Sequence, residues 1–235
     1  MSPTTYEIDI TMSEDTVTTL FDGAYNLYGF KAVQASQSGG SPLVWFTLAK
    51  TGYSATTKLT WSVQYEAYTS HTSIIPNGQV QASFSTQIGL GQTLEVGVAG
   101  EGNVKDVGTA QAISLLNTTS TPFTCGIAQH SADGNNNPMC AFPLYGRQLD
   151  VIAPIEKVLL MFSSMPVNTG TVIEQAYGPG VLVDLTGAST NTRQVSYDIN
   201  AGWSGGGYSG AQAVTADANL VPLLITSGTG ADMAA

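Results

Sequence analysis

Short runs in which apolar and polar residues alternate recur along most of this chain, and glycine, proline or asparagine bounds nearly every run. Alternation with a period of two places apolar side chains on one face of a β-strand and polar side chains on the other. The clearest run spans residues 59–69 and puts on one face Trp61, Val63, Tyr65 and Ala67. We expect that face to lie at the centre of a hydrophobic core.

Counting these runs gives about a dozen short strands, at the spacing typical of β-sandwiches and barrels. The pattern predicts an all-β fold, namely an antiparallel, jelly-roll-like β-sandwich. Chains of 235 residues can form one such domain, and no linker divides this sequence, so we expect a single domain over residues 1–235. The small residues of the tail, 227–235, predict a segment that is either flexible or docked on a surface.

One short helix is expected near residues 13–21, because Val17, Leu20 and Phe21 follow one another at helical spacing. Thr11 and Glu14 stand three residues apart, as in a capping box. The run from Val158 to Phe162 departs from the alternating pattern of the other predicted strands, because all of its residues are apolar. It predicts a strand covered on both faces, with the segment that contains the two cysteines as one candidate cover.

The charge and the hydropathy of the chain limit its expected partners and location. The formal net charge is −10, and seven Lys and Arg residues supply no basic patch for phosphate groups, so we expect no nucleic-acid partner. No apolar run is long enough for a transmembrane helix. The first residues lack the charged and apolar regions of a signal peptide, which predicts a cytoplasmic protein or one released by another route.

Cys125 and Cys140 flank a turn-forming segment and leave two alternatives open. Cysteines on either side of a hairpin can form a disulfide when their Cα atoms approach within about 7 Å. The absence of a signal peptide favours buried thiols instead. We retain both alternatives.

The polar loop between the cysteines carries Asp133, Asn135 and Asn137 at alternating positions. Such spacing is found at the start of a calcium-binding EF-hand loop. The last ligand position of that loop would be Leu144, whose side chain has no oxygen atom. The same residues are common in plain turns for local reasons. We therefore expect no required cofactor, with an irregular calcium site that includes a distant acid such as Asp150 as the alternative.

A second loop, rich in glycine, carries Trp203 and Tyr208. Aromatic rings in a loop can stack on a sugar or anchor a protein partner. They can equally fold back to cap the core. The candidate ligand-binding residues are therefore these two aromatic residues together with Asp133, Asn135 and Asn137 of the polar loop.

No catalytic pattern survives inspection. Residues 202–206 match a nucleophile elbow, but both histidines, His71 and His130, precede Ser204, whereas that arrangement needs a histidine after the serine. A glycosidase would need two carboxylates about 5–10 Å apart. The candidates on or near strands are Glu7, Asp9, Glu66, Glu95, Glu156, Glu174, Asp184 and Asp198.

Three classes of function fit this sequence. The first is a non-enzymatic, lectin-like binding protein that recognises a glycan or a protein surface through its loops. The second is a membrane-active cytolytic or pore-forming protein, because long uncharged alternating strands suit a membrane barrel. The third is a self-assembling structural subunit, a homo-oligomer favoured by low charge and dense Ser, Thr and Gly.

Overall fold

The computed structural model describes residues 4–228. Strands dominate, and the all-β prediction is confirmed. In chain order the elements are β1 (Thr5–Thr11), α1 (Glu14–Asp22), β2 (Asn26–Ala35), β3 (Ser41–Pro42), β4 (Phe46–Leu48), β5 (Thr56–Ser62), β6 (Tyr65–Ser70), β7 (Phe84–Ile88), β8 (Thr93–Val96), β9 (Gly102–Lys105), β10 (Ile113–Asn117), β11 (Phe123–His130), β12 (Asn136–Pro138), β13 (Cys140–Leu144), β14 (Leu149–Ser163), β15 (Gly180–Asp184), β16 (Thr192–Asp198), β17 (Gly202–Ser204), β18 (Ala211–Val214), α2 (Val221–Leu224) and β19 (Ile225–Ser227).

The strands within residues 4–228 form three sheets. A four-stranded sheet has the order β17-β16-β1-β5, and a six-stranded sheet has the order β3-β13-β11-β6-β7 with β12 beside β11. The nine-stranded sheet follows the path β18-β15-β14-β10-β8-β9, and β2 joins it between β14 and the short strands β4 and β19. Most neighbours are antiparallel, as expected, but β1–β16, β8–β10 and β2–β19 are parallel.

The run of residues 59–69 forms two strands rather than one. Its first part ends β5 in the four-stranded sheet, and its second part begins β6 in the six-stranded sheet. The prediction for its apolar face is confirmed for Trp61, Tyr65 and Ala67, which are buried in the main core, whereas Val63, between the two strands, is half-buried against it. One alternating run therefore serves two sheets that cover the same core.

The nine-stranded sheet is covered on both faces around β14, as the apolar run predicted. Val158, Leu160 and Phe162 belong to the main core between the sheets, whereas Leu159 and Met161 belong to a second cluster on the opposite face. Both cysteines belong to the main core, on the side of Val158, Leu160 and Phe162, so their segment is not the cover of the opposite face. The second cluster is closed by side chains from the segments around residues 167–177 and 218–224.

The predicted helix is present as α1, but its N-cap is Ser13 rather than Thr11. The Ser13 side chain accepts a hydrogen bond from the Thr16 backbone N–H at 3.1 Å, while Thr11 belongs to β1. Leu20, on the inner face of α1, is fully buried. A second helix, the single turn α2, was not expected from the sequence. Pro222 is compatible with it, because proline can stand in the first helical turn, where no backbone donor is needed.

Of the tail predicted at 227–235, residues 229–235 lie outside the part that the structure describes. Ser227 ends β19, and the Gly228 backbone N–H donates to the Ala35 carbonyl at 3.0 Å. Within residues 4–228, no helix is both long and apolar enough to cross a membrane.

Candidate functional site

The two loop aromatics pack onto the protein. The indole of Trp203 stacks on Phe162 with centroids 5.5 Å apart and donates from Nε1 to the Pro179 carbonyl at 3.1 Å. The phenol of Tyr208 donates to the Asp184 carbonyl, and the Arg193 guanidinium lies 4.4 Å from its ring centroid. Both rings are half-buried. Their faces and polar atoms are largely used in holding the loop against the core.

The polar loop is closed by its own hydrogen bonds. The Asp133 carboxylate accepts from the Ser131 hydroxyl at 2.6 Å, from the Asn135 backbone N–H at 3.0 Å and from the Asn137 amide at 2.8 Å. These bonds occupy oxygens that a calcium ion would need. Asp150 is fully buried elsewhere, where it accepts from the Ser36 hydroxyl.

The two loops do not form one surface. Trp203 lies on β17, at one edge of the four-stranded sheet, whereas Ser131, Ala132 and Gly134 of the polar loop line a small cleft beside β5 at the other edge. Three strand spacings of about 4.8 Å separate these edges. The candidate ligand-binding residues Trp203, Tyr208, Asp133, Asn135 and Asn137 are thus divided between two places.

Cys125 and Cys140 are free thiols in this structure, and both are buried. Cys125 stands opposite Phe142 in the pairing of β11 with β13, so Cys140 is a diagonal neighbour two residues away. Diagonal neighbours are farther apart than the short Cβ separation that a disulfide needs. Burial raises the pKa of the Cys140 thiol to about 12 and the pKa of the Cys125 thiol well above its usual value, which makes both unreactive at neutral pH.

The eight acids considered for a glycosidase pair have individual partners instead. Glu7 and Asp9 share Lys58, Glu95 lies 3.8 Å from Lys105, and Asp184 pairs with Lys157. Glu66, Glu156, Glu174 and Asp198 accept hydrogen bonds respectively from Asn136, Trp61, Ser41 and the backbone N–H groups of residues 200 and 201. This distribution does not favour a hydrolase.

A buried ion pair lies where the three sheets meet. Lys31 is fully buried in β2, and its Nζ lies 2.5 Å from Oε2 of Glu156. The pairing of β14 with β2 is interrupted between Ile155 and Val158 by a bulge that contains Glu156. A bulge can redirect a side chain, and here it accompanies the approach of the carboxylate to the lysine.

The same carboxylate binds both other sheets. Trp61 of β5 donates from Nε1 to Oε2 at 2.9 Å, and Tyr65 of β6 donates from its hydroxyl to Oε1 at 3.3 Å. The Lys31 ammonium also lies 4.9 Å from the Trp61 ring centroid and 5.5 Å from that of Trp45. Burial lowers the pKa of Lys31, although the charge of Glu156 opposes this shift.

Two surface clefts among the described residues have volumes above about 500 Å³, well within the range usual for small-ligand sites. The first, which we call the amide cleft, has a volume of about 570 Å³ and lies at the start of β6 and the end of β7. Gln64, Glu66, Gln87 and Asn136 contribute polar groups to it. The Asn136 amide donates to Glu66 at 2.5 Å, so the predicted polar loop does reach this cleft, through a residue that had not been singled out.

The second cleft, which we call the tyrosine cleft, has a volume of about 510 Å³ and lies at the other end of β6. Its lining includes the exposed Tyr145, of which 54% is accessible to solvent. His71, Ser73 and Glu174 are further polar members of its lining. An exposed ring beside a carboxylate and hydroxyl groups combines apolar contact with hydrogen-bonding capacity.

Tyr145 is placed by a tight turn after β13. The Gln148 backbone N–H donates to the Tyr145 carbonyl at 3.3 Å, and the Arg147 N–H donates to the Thr119 carbonyl at 2.8 Å. Arg147 adopts a left-handed conformation with φ of 59°. Leu144, at the end of the strand, is buried, and the chain turns immediately after it so that Tyr145 lies outside.

Other residues that line the tyrosine cleft are held by internal hydrogen bonds. The Thr124 hydroxyl donates to the Thr72 carbonyl at 2.7 Å, and the Ser70 hydroxyl accepts from the Thr72 N–H at 3.0 Å. The His71 ring packs against Phe123 with centroids 5.4 Å apart. Glu174 accepts from the Ser41 hydroxyl at 3.0 Å through Oε1. The cleft is therefore supported by residues from four segments of the chain.

Sequence reasoning missed Tyr145 and His71 as site residues because neither belongs to a recognisable motif. Glu174 was noticed only as an acid near a strand. Lys31 offered a usable signal, since a lysine in the middle of an apolar strand needs a buried partner.

The fold and its clefts define an all-β, sandwich-like protein with two polar surface clefts and a buried charged cluster. The chain matches no family model, no curated protein and no solved structure.

Proposed function

We propose that this protein is a non-enzymatic binding protein that takes a neutral glycan in the tyrosine cleft. The observation that carries the proposal is the exposed Tyr145 ring beside a cleft with carboxylate and hydroxyl groups. A sugar ring has apolar C–H faces and a polar rim, so it needs both kinds of contact. The cleft offers both within the volume usual for small-ligand sites.

The Tyr145 ring is suited to the apolar part of this recognition. A tyrosine side chain has few rotatable bonds and therefore loses little conformational entropy when a ligand covers it. The ring of Trp203, which the sequence suggested for this role, is already stacked on Phe162. Tyr145 is thus the better candidate for a stacking platform.

Glu174 and the hydroxyl of Ser73 are suited to the polar part. A carboxylate accepts hydrogen bonds from sugar hydroxyls, and a serine hydroxyl both donates and accepts. The bond from Ser41 occupies one carboxylate oxygen of Glu174 and fixes its orientation. Because Ser70 and Thr124 already support the wall, we assign them to the framework rather than to the ligand.

The charge of the protein favours a neutral glycan over an acidic one. The net charge is −10, and the polar lining of the cleft includes the carboxylate of Glu174. Sulfated or sialylated glycans would meet repulsion in approaching this surface. We therefore expect neutral oligosaccharides to bind and acidic ones to bind less well.

The test is a glycan array with the untagged protein and two variants of one residue. Wild type should bind a set of neutral glycans in a saturable manner. Tyr145→Ala should weaken binding about tenfold or more, as expected for an aromatic anchor, while Tyr145→Phe should retain most of it. Failure of wild type to bind any glycan would contradict the proposal.

A matched control distinguishes the two clefts. Gln87 is exposed in the amide cleft, at the opposite end of β6. Gln87→Ala should leave glycan binding unchanged if the tyrosine cleft is the site. If Gln87→Ala abolishes binding and Tyr145→Ala does not, the amide cleft is the site and our assignment is wrong.

A further inference from the structure

We propose that Lys31 and Glu156 become joined by an intramolecular amide bond between Nζ of the lysine and Cδ of the glutamate. This covalent link would connect β2 with the bulge of β14 inside the core. It is independent of glycan binding and concerns a modification of the chain itself.

The two reacting groups are already held together. Nζ lies 2.5 Å from Oε2, and Cδ is one covalent bond from that oxygen, which places nitrogen and carbon close to the range of about 3–3.5 Å that favours attack. Groups oriented in this way react with effective molarities of about 10⁵ M or more. The fixed geometry of two paired strands supplies this orientation.

The hydrogen-bond donors suit an amide. Trp61 and Tyr65 each donate to the carboxyl group, so they can stabilise the negative charge that develops on its oxygens during attack.

The surroundings of Nζ also suit an amide nitrogen better than an ammonium, because an ammonium has three N–H donors. Among the described residues, Glu156 Oε2 is the hydrogen-bond acceptor of Nζ, and the faces of two indole rings also lie near it. An amide nitrogen would leave a single N–H in the same space.

The reaction balances without any other reagent. Proton transfer within the ion pair gives a neutral amine and a neutral carboxylic acid. The nitrogen lone pair forms the N–Cδ bond, the bond from Cδ to Oε2 breaks, and Oε2 leaves with two protons from the former ammonium as one water molecule. Oε1, which Tyr65 holds, remains as the amide carbonyl oxygen.

Burial favours both the start and the end of this reaction. Lys31 has no solvent-exposed side-chain surface, and burial lowers its pKa, which makes the neutral, nucleophilic amine easier to form. The Glu156 side chain is 13% exposed, so the water that is released has a route out. Removal of that water to solvent opposes hydrolysis.

The test is the intact mass of the folded, purified wild-type protein. We expect a mass lower than the sequence mass by one water molecule. After unfolding and digestion with trypsin, cleavage at Lys31 should be blocked, and residues 1–50 should remain joined to residues 148–157. A folded protein of full sequence mass, with normal cleavage after Lys31, would overturn the proposal.

Variants locate the bond. Lys31→Arg and Glu156→Ala should each restore the full mass, which can be measured even on unfolded material. Tyr65→Phe should leave a fraction of chains unlinked, because the donor to Oε1 is lost, whereas a merely structural role would not change the mass. The control is Lys157→Arg, in the half-exposed pair with Asp184 at 3.0 Å, which should not alter the loss of one water.

Discussion

The ammonium of Lys31 lies 4.9 Å from the centroid of the Trp61 ring, so a strand of the nine-stranded sheet and a strand of the four-stranded sheet meet at a buried cation. Glu156 and Tyr65 complete this contact, and Tyr65 adds the six-stranded sheet. The three sheets are therefore connected through one charged cluster as well as through apolar packing.

Removing the cation should destabilise the fold. Lys31→Met leaves the Glu156 carboxylate largely buried without its partner, which costs about 3–5 kcal/mol for a buried ion pair, and it also removes the proposed amide link. Urea unfolding should show this loss. The control Lys58→Met removes an exposed lysine beside Glu7 and should change stability little. Equal effects of the two substitutions would mean that the buried cluster contributes no more than a surface pair.

Asp150 should make stability depend on pH. Burial raises its pKa from 3.8 to about 6, and its Oδ2 has no hydrogen-bond partner among the described residues. The folded state thus holds this proton more tightly than the unfolded state. The resulting stability is present below about pH 4 and is lost as pH rises through about 6.

The variant Asp150→Asn isolates this effect. The stability of wild type relative to the variant should fall by about 2 kcal/mol between pH 4 and pH 7, because the pKa differs by about two units and one unit corresponds to about 1.4 kcal/mol. Urea unfolding of both proteins across this range provides the measurement. A difference that stays constant with pH would show that Asp150 has an ordinary pKa in the fold.

The two cysteines should be protected thiols. Both are buried, and their raised pKa values keep them protonated at neutral pH. A thiol reagent such as DTNB should not react with the native protein but should titrate two thiols after unfolding without reductant. Detection of no thiols in the unfolded protein would establish the disulfide that the sequence left open.

Gly126 should not tolerate a side chain. A Cβ at this position would lie 2.1 Å from the Cys140 carbonyl oxygen, a backbone atom that cannot move aside cheaply. Gly126→Ala should therefore lower the thermal unfolding temperature markedly. The control is Gly97→Ala, whose Cβ would meet the Glu101 carbonyl oxygen at 3.4 Å. Similar melting temperatures for the two variants would contradict the close packing of β11.

The sequence predicted the features of the fold that depend on local periodicity, namely which strand faces are buried. Alternation in the run 59–69 and the continuous run 158–162 correctly indicated a buried apolar face and a strand covered on both faces. It could not show that β1 pairs in parallel with β16, because these strands lie far apart in the chain. Nor could it show that the run 59–69 divides between two sheets.

The candidate site was harder to predict for the same reason. The tyrosine cleft joins residues around 39–41, 70–74, 122–124, 143–145 and 174, and no local pattern brings such segments together. Trp203 was conspicuous in the sequence because tryptophan in a glycine-rich loop is unusual. Its ring instead packs on Phe162, while the less conspicuous Tyr145 is exposed. The membrane-active and self-assembling alternatives stay predictions.

The most direct test of glycan binding in the tyrosine cleft is an NMR titration of the ¹⁵N-labelled protein. The probes are neutral oligosaccharides of glucose, galactose, mannose and N-acetylglucosamine. Our account predicts saturable shifts of the backbone amide signals of residues 70–74, 123–124 and 145 with at least one of these sugars. Shifts confined to residues 64–66, 87–92 and 136, or no shifts with any sugar, would contradict it.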